Sequence, residues 1–593
     1  MGPFRRTRVL AVMAAVWGLT GSLLDLQAAQ YGPIEVSVEP LPVGEGGGVE
    51  FRSGGYIEYR ITIRNSSQTQ DFQVRLVAPS EKNGYGDFLM RNSRTVQVPH
   101  QGTLVVSLFQ PAIRTFDRQM LVELDGRRQE ERISLPEPLG SSGGGWGGGS
   151  GMSPQYAVLA SRRISQDFKD QVRSTPATLT AFYRSEIDTR AWSPNWLGYT
   201  AYNGILITKT EADELPADVA LGLRRYVESG GSLLIQGIGN DPQRLVPESL
   251  RGSAVLDENG FYRVGFGRML GITSIGAWAE TLIGMRLPEG TASSDPGLFV
   301  PMESHVPVRG LLGLVILFAV VIGPFNIWIL TRQRRRMWLW WNVPLFSFVT
   351  CLAIFSYSLL AEGIRGRGRS SMLTLLDEQA HRATSWGYLS YYCPLTPSGG
   401  LHFSPDTAVT ALSSIVQRNP WDRGNERRPR TIDWTTDQHL DSGWIVPRVG
   451  ERFFIRKNET RRERLAFRTN ADGTVTVVNG LGTEVTALTY RDASGKLFQA
   501  TDMAPGQEQQ MVPFTEGERS SEEPEASLQL LASHANAGSF QQVKSNPARY
   551  LVPSSYLAVV DRSPFLENPL PGAPEAGSLG LIYGLNAGGD NGN

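Results

Sequence analysis

The sequence has few cysteines and histidines, and its charges almost cancel. Its 593 residues include 2 cysteines and 6 histidines, and the formal net charge at pH 7 is −1. Two cysteines cannot build a disulfide framework, and Cys351 lies inside an apolar run, so we expect no pairing with Cys393. No two histidines stand at His-x-x-x-His spacing, and we expect no metal site and no cofactor. Without a cationic excess, nucleic acid is not an expected partner.

The first 29 residues have the plan of a secretory signal peptide. A basic start at residues 1–8 precedes an apolar run at residues 9–24, and small residues follow at Ala28 and Ala29. We expect cleavage near Ala29, and an uncleaved signal anchor is the alternative.

Two long apolar runs stand in the middle of the chain. Residues 308–331 and 338–361 predict two transmembrane helices, because about 20 apolar residues span the ~30 Å hydrocarbon core of a bilayer. A buried helix pair is the alternative. Residues 332–337 would form a cytoplasmic turn. The residues expected to set this topology are the turn arginines and the tryptophans of an interfacial belt: Arg332, Arg334, Arg335, Arg336, Trp338, Trp340 and Trp341. Asn326 and Asn342 are expected to hydrogen-bond across the hairpin, worth roughly 0.5–2 kcal/mol.

Residues 30–136 show period-two alternation that predicts short antiparallel strands. Ile57, Tyr59, Ile61 and Ile63 alternate with polar residues, which is typical of an immunoglobulin-like β-sandwich. A glycine- and serine-rich linker follows at residues 137–154.

Residues 155–300 change to alternating strands and helices. Segments 156–159, 204–207 and 232–235 predict buried strands, 216–229 predicts a helix, and Gly230 is placed for a left-handed C-cap. A strand–helix–strand unit of this kind predicts parallel pairing. The glycine pair of residues 264–268 indicates a turn rather than a nucleotide site.

Two stretches of the sequence resemble known protein families. Tyr-Asn-Gly-Ile-Leu-Ile at 202–207 and the Gly-Gly-Ser-Leu-Leu-Ile that ends at Ile235 resemble the middle of a class I glutamine amidotransferase-like domain. Catalytic members carry a cysteine nucleophile on a strand-to-helix turn, with a histidine base. This chain has no cysteine before Cys351, so the resemblance implies a Rossmann-like α/β scaffold without that reaction.

Gly-Pro-Phe-Asn at 323–326 and the Arg-Arg-Met-Trp-Leu-Trp that follows are similar to a family of uncharacterised bacterial envelope proteins. That family combines a signal sequence, extracytoplasmic β and amidotransferase-like domains, and a two-span membrane hairpin.

Residues 370–515 predict a β-rich extracytoplasmic domain, and residues 516–593 a closing segment with a disordered tail. The tryptophans that would stack on sugars, or else fill a core, are Trp386, Trp421, Trp434 and Trp444. Cys393 is a conceivable nucleophile with His381 or His402 as base, and a buried structural thiol is the alternative. Glu378 and His381, three residues apart, are a weak metal-ligand pair.

The sequence therefore predicts a multidomain α/β plus all-β membrane protein with no catalytic residues assigned. The expected function is a membrane-anchored extracytoplasmic scaffold or binding component of a bacterial envelope complex. An extracytoplasmic hydrolase and a cell-wall polysaccharide-binding protein are the alternatives. The expected location is the bacterial inner membrane, with the N- and C-terminal domains extracytoplasmic. The expected partners are the lipid bilayer and another envelope or membrane protein.

Overall fold

A computed structural model describes most of the chain, with gaps. The described residues are 27–41, 44–45, 55–78, 90–111, 119–135, 156–164, 180–185, 187–237, 255–256, 262–272, 308–332, 339–362, 366–412, 430–514, 543–544, 546–575 and 578–585. Strands account for 48% of these residues and helices for 19%. The signal sequence up to residue 26 and the glycine-rich linker lie outside them.

The N-terminal part is a sandwich of two antiparallel sheets. Its strands are β1 (Gln27–Tyr31), β2 (Ile34–Leu41), β4 (Tyr56–Asn65), β5 (Phe72–Ala78), β6 (Met90–Val98), β7 (Thr103–Pro111), β8 (Gln119–Leu124), β9 (Arg127–Arg128) and β10 (Ile133–Ser134). The short β3 (Gly44–Glu45), between β2 and β4 in the chain, belongs instead to the sheet of the α/β unit. Sheet 1 has the order β1-β2-β4-β7, and sheet 2 begins β10-β8-β5-β6, with β9 paired to β8. Apolar residues that alternate along these strands, such as Ile61 and Val74, are fully buried between the sheets. Gln27, Ala28 and Ala29, at the expected cleavage site, pair with β2.

The next part is an α/β unit. Its elements are β11 (Tyr156–Ala160), β12 (Thr180–Ser185), β13 (Gly204–Thr208), α1 (Lys209–Asp213), α2 (Ala217–Glu228), β14 (Ser232–Gln236), β15 (Val255–Leu256), β16 (Tyr262–Val264) and β17 (Gly267–Ile272), with 3-10 turns at Thr189–Ala191 and Trp196–Tyr199. These strands form sheet 3. Within it, β12-β11-β13-β14-β17 are parallel, in the order 2-1-3-4-5 when the parallel strands are counted along the unit. This is the order of flavodoxin-like doubly wound folds. The two outer edges are antiparallel: β3 pairs with β12, and β16 with β17.

The strand–helix–strand prediction is confirmed in this unit. Helix α2 buries its predicted face against the sheet, with Val219, Leu223, Tyr226 and Val227 each at most 2% exposed. Gly230 follows the helix at φ +104°, as a left-handed C-cap requires. Glycines 265 and 267 form the β16–β17 turn, as predicted.

The apolar middle of the chain forms α3 (Val308–Val320), a π-helical segment (Val321–Phe325), α4 (Asn326–Arg332) and α5 (Leu339–Glu362). The first predicted span is therefore broken, with Pro324 inside the π-helical segment. Within the described ranges, no helix combines the length and apolar character needed to cross a membrane. The prediction of a two-helix transmembrane hairpin is thus contradicted, and the chain is mainly a β-sheet protein with short helices.

The C-terminal part contains fifteen strands in the described residues: β18 (Arg367–Asp377), β19 (Arg382–Tyr392), β20 (Leu401–Phe403), β21 (Thr407–Ala411), β22 (Arg430–Asp433), β23 (Gln438–Leu440), β24 (Gly450–Thr460), β25 (Arg464–Thr469), β26 (Val475–Gly480), β27 (Val485–Arg491), β28 (Leu497–Met503), β29 (Glu508–Gln510), β30 (Val512–Pro513), β31 (Ser555–Val560) and β32 (Leu579–Leu585), with a 3-10 turn at Pro547–Tyr550. A nine-stranded sheet, sheet 4, has the order β21-β24-β19-β18-β32-β31-β27-β28-β30, and β25-β26-β29 form a small sheet 5. Strands β31 and β32 lie in the middle of sheet 4, so the expected closing segment belongs to its core.

Sheet 2 contains strands from both ends of the chain. Strand β22 pairs in parallel with β6, from Arg430 beside Met90 to Asp433 beside Ser93. Strands β23 and β20 then extend the sheet. The N-terminal sandwich and the C-terminal β-rich part are therefore continuous through one hydrogen-bonded sheet.

The α/β unit packs against sheet 4 through the end of α2. The indole of Trp386 on β19 lies against Gly230, donates a hydrogen bond from Nε1 to the Ser229 carbonyl at 3.2 Å, and stacks on Phe266. Glu228 accepts a hydrogen bond from Asn458 Nδ2 at 2.8 Å. This interface is buried, so the α/β unit and sheet 4 form one packed body.

Candidate functional site

The α/β unit offers a first place to look for a site. Open parallel sheets bind ligands beyond the carboxyl ends of their strands, where the strand order reverses. Here that position lies between β11 and β13. The residues immediately after these strands are Ser161 and the start of α1.

A closed hydrogen-bond network fills this position. Ser161 is fully buried, and its Oγ donates to Glu211 Oε2 at 2.5 Å. The same oxygen accepts from the backbone N–H and the hydroxyl of Thr208, at 3.0 and 2.9 Å. Thr208 and Glu211 form the capping box of α1. The network holds the chain reversal after β13, and it presents no free carboxylate to a substrate.

Charged pairs surround this network at the surface. Arg190 and Arg163 contact Glu214 at 2.7 and 3.2 Å, and Arg162 contacts Asp188 at 2.6 Å. The hydrogen bond from Arg190 lowers the pKa of Glu214, with Arg163 contributing. Among the described residues, no cysteine or histidine hydrogen-bonds to Ser161, whose hydroxyl donates to Glu211. The described part of this edge therefore shows no cysteine–histidine pair of the kind used in acyl transfer.

Cys393, for which the sequence left open a nucleophile or a structural thiol, is a buried thiol. Its side chain is 1% exposed, and burial raises the pKa of the thiol to about 11. His402 instead hydrogen-bonds Asp437 through Nδ1 at 2.8 Å and stacks on His439, with ring centroids 4.1 Å apart. No hydrogen bond joins Cys393 to His381 or His402 in the described structure. Cys393 thus matches the structural-thiol alternative.

Glu378, from the weak metal-ligand pair, and the tryptophans considered for sugar stacking are also engaged elsewhere. Glu378 Oε1 accepts hydrogen bonds from the Tyr556 hydroxyl and the Leu465 N–H, at 2.9 and 3.1 Å. Three of the four tryptophans are at most 5% exposed, and Trp421 lies outside the described residues. The buried three are Trp386, Trp434 and Trp444. They fill cores and cannot present a face to a sugar.

Few of the topology residues can be described. Arg334, Arg335, Arg336 and Trp338 lie outside the described residues, as does the side chain of Asn342. Trp340 and Trp341 are 86% and 81% exposed. The Arg332 guanidinium lies over the Trp328 ring, 5.6 Å from its centroid. Asn326 is buried, and its Nδ2 has no hydrogen-bond partner among the described residues, so its pairing with Asn342 stays a prediction.

A concave region on the outer face of sheet 2 is the strongest candidate for a binding site. It encloses about 450 Å³ and is called the outer-face groove below. Its lining comes from both halves of the chain: Arg75, Val77, Arg91, Ser93, Leu121, Glu123 and Arg128 from the N-terminal strands, and Thr431, Ile432, Asp433, His439 and Asp441 from β22, β23 and their flanks.

A ladder of paired residues crosses the floor of the groove. Leu121 pairs with Val77, Val77 with Ser93, Ser93 with Asp433, and Asp433 with His439. At the apolar end of this ladder the side chains are largely buried: Leu121 is 5% and Val77 8% exposed. The floor therefore changes from apolar to polar along one line across the strands.

Charged residues form the two ends of the groove. At one end Arg75 lies 3.6 Å from Glu123, which in turn pairs with Arg128 across the β8–β9 hairpin. At the other end Arg91 pairs with Thr431 in the ladder, and the Thr431 hydroxyl lies 3.1 Å from Asp441 Oδ2. The Nε of Arg91 is buried without a hydrogen-bond partner within the described structure.

Sequence reasoning missed this groove. Arg75 and Val77 share the outer face of β5, but β22 is more than 300 positions further along the chain and short. No local signal pairs β22 with β6, so the groove could not be assembled from either half alone.

No family model and no curated protein matches this sequence. The geometry above therefore carries the functional argument.

Proposed function

We propose that this chain is a non-catalytic scaffold or binding component of a bacterial envelope complex, and that it holds a partner in the outer-face groove. The single observation that carries the proposal is the composition of the groove, whose walls come from β5, β6 and β8 on one side and β22 and β23 on the other. A concave site with a partly apolar floor and a few placed polar groups is typical of binding sites. The buried thiol of Cys393 and the closed Ser161–Glu211 network support binding over catalysis.

The proposed location is the extracytoplasmic side of the inner membrane. The β6–β22 pairing supports one part of this, because two strands of one sheet must lie in the same compartment. The N-terminal sandwich and the C-terminal sheets are therefore expected on the same side of any membrane. The amidotransferase-like scaffold and the envelope family stay predictions within this proposal.

Helices α3, α4 and α5 support contact with lipid. Their exposed apolar side chains include Leu317 at 59%, Trp328 at 58% and Phe348 at 68%. Exposed apolar area of this extent marks an interaction surface. The cationic side chain of Arg332 beside Trp328 resembles the pairing of residue types found at membrane interfaces. We expect the protein to sediment with membranes and to be released by detergent but not by high salt, and recovery in a salt-washed soluble fraction would contradict lipid contact.

Site-specific photo-crosslinking in the native bacterium tests the binding proposal. A benzophenone amino acid replaces Arg128 or Asp441, one on each side of the groove, and replaces the exposed Asp472 on the β25–β26 turn as the control. We expect the two groove positions to give the same discrete adduct, identified as an envelope protein by mass spectrometry, and the control position to give none. Absence of an adduct at both groove positions, or equal labelling from the control, would refute the proposed site.

A further inference from the structure

Resting on the proposed function, we propose that the outer-face groove binds an extended peptide segment of a partner protein, one that carries an acidic side chain two positions away from a large apolar side chain. The carboxylate would contact Arg91, and the apolar side chain would pack on the small part of Val77 and Leu121 that the groove leaves exposed. Three features point to this ligand: the guanidinium nitrogen without a hydrogen-bond partner, the apolar floor and the spacing between them.

Arg91 is the cation in the groove with an unmet hydrogen-bonding need. Its Nε is buried without a hydrogen-bond partner within the described residues. A buried donor without an acceptor is costly. A carboxylate matches the planar fork of a guanidinium and accepts two parallel hydrogen bonds, so it would satisfy this nitrogen once the groups that cover Nε move aside. Arg75 differs from Arg91 in having a carboxylate partner, because Glu123 lies 3.6 Å from its guanidinium.

The apolar floor fixes the second half of the recognition. Val77 and Leu121 lie on the side of sheet 2 away from the sandwich core and line the groove inside a charged rim, with 8% and 5% of their surfaces exposed. Val77 pairs with Ser93, which stands two residues after Arg91 on β6. Arg91 and Val77 are thus diagonal neighbours, about 7–8 Å apart. Side chains at positions i and i+2 of an extended peptide lie on one side about 6.6 Å apart, which matches this distance.

Two other ligand classes fit the groove less well. Sugar binding uses aromatic platforms, and His439 is the single ring among the residues that line the described groove. Polyanions need a cationic excess. Here the three arginines Arg75, Arg91 and Arg128 are offset by Glu123, Asp433 and Asp441. A peptide with one carboxylate beside an apolar side chain suits both the balanced charge and the floor.

Selection from a phage-displayed library of random heptapeptides on the purified full-length protein tests the inference. We expect enriched peptides to carry Asp or Glu two positions from Leu, Ile, Val, Met or Phe. With Arg91→Gln, recovery of these peptides should fall at least tenfold, whereas Arg468→Gln, a control at an exposed arginine of β25 outside the groove, should retain most of it. Circular dichroism and thermal melting of both variants verify that they fold.

The outcomes separate the two proposals. No enrichment, enrichment of peptides without acidic residues, or equal recovery on Arg91→Gln would overturn the acidic-peptide inference. If photo-crosslinking from the groove still yields an envelope partner in that case, the proposed function stands and only the ligand class is wrong. If crosslinking fails as well, the proposed function fails with it.

Discussion

Replacement of Glu378 by Gln should make the protein less sensitive to alkaline pH. Glu378 is 8% exposed at the end of β18, and burial raises the pKa of its carboxyl from 4.5 to about 7. Hydrogen bonds from Tyr556 and Leu465 and the charge of Arg464 oppose this rise, and Asp377 adds to it. Because the folded-state pKa is the higher one, the folded state binds the proton more tightly. This stabilisation is complete below pH 4.5 and is lost as the pH rises through 7.

The magnitude follows from the two pKa values. The difference between about 7 and 4.5 corresponds to about 3.4 kcal/mol at ~1.36 kcal/mol per pH unit. About 2.5 kcal/mol of this is lost between about pH 5 and pH 8. A glutamine keeps Oε1 as the acceptor for Tyr556 and Leu465 and has no proton to lose. The variant should therefore gain about 2.5 kcal/mol relative to the wild type between those two pH values.

Urea denaturation followed by tryptophan fluorescence at about pH 5, 6, 7 and 8 measures this difference. Other titrating groups are common to both proteins, so the difference between their unfolding free energies isolates Glu378. Glu508→Gln, at an exposed position on β29, is the control and should show no such change with pH. A difference between Glu378→Gln and wild type that stays constant with pH, or grows toward acid, would refute the argument from burial.

Two further predictions concern the interface of α2 and the thiol of Cys393. Gly230→Ala should destabilise the protein by about 1–3 kcal/mol or more in urea denaturation, because φ is +104° and a Cβ would lie 2.4 Å from the Trp386 ring. Gly237→Ala, at φ +96° with open space around it, is the control that measures the backbone cost alone. Equal losses of stability in the two variants would show that the Trp386 contact is unimportant. In the folded protein the buried Cys393 should react with a maleimide at pH 7.5 far more slowly than in the same protein unfolded in urea, measured by mass spectrometry, and rapid labelling of Cys393 in the folded protein would reopen its role as a nucleophile.

The α/β unit was the most predictable part of the fold. Its strands are short apolar runs, and α2 has an apolar face every three to four residues and a glycine immediately after its end. These signals are local, and each element can bury its apolar side chains only by forming a parallel sheet with a crossover helix. The bounds observed for α2, Ala217–Glu228, differ from the predicted 216–229 by one residue at each end.

The burial of the outer face of sheet 1 could not be predicted. The alternation along β4 indicated that Glu58 faces solvent, yet it is 1% exposed and accepts a hydrogen bond from Ser107 Oγ at 2.5 Å. The turn at Trp196–Tyr199 of the α/β unit packs over this face. Alternation shows which residues share a face of a strand, but it does not reveal whether another unit covers the polar face.

The central apolar runs show a different limit. Their length and lack of charge predicted two spans, because hydropathy is summed along the chain without regard to backbone geometry. Pro324 removes a backbone donor, and the helix widens into a π-helical segment around it, so the first run forms pieces of 13 and 7 α-helical residues. The sequence predicted one helix across Pro324.

The order of synthesis determines when the groove can form, because β6 is made long before β22. It lies at the edge of the N-terminal half of sheet 2, between β5 and β22, and β22 is made more than 300 residues later. Until β22 arrives, β6 has an unpaired edge, and such edges attract other strands. At that stage Arg91, Val77 and Leu121 are present, but the groove lacks the wall formed by Thr431, Asp433 and His439. A complete groove therefore requires the complete chain, with both halves in one compartment and the β6–β22 ladder closed.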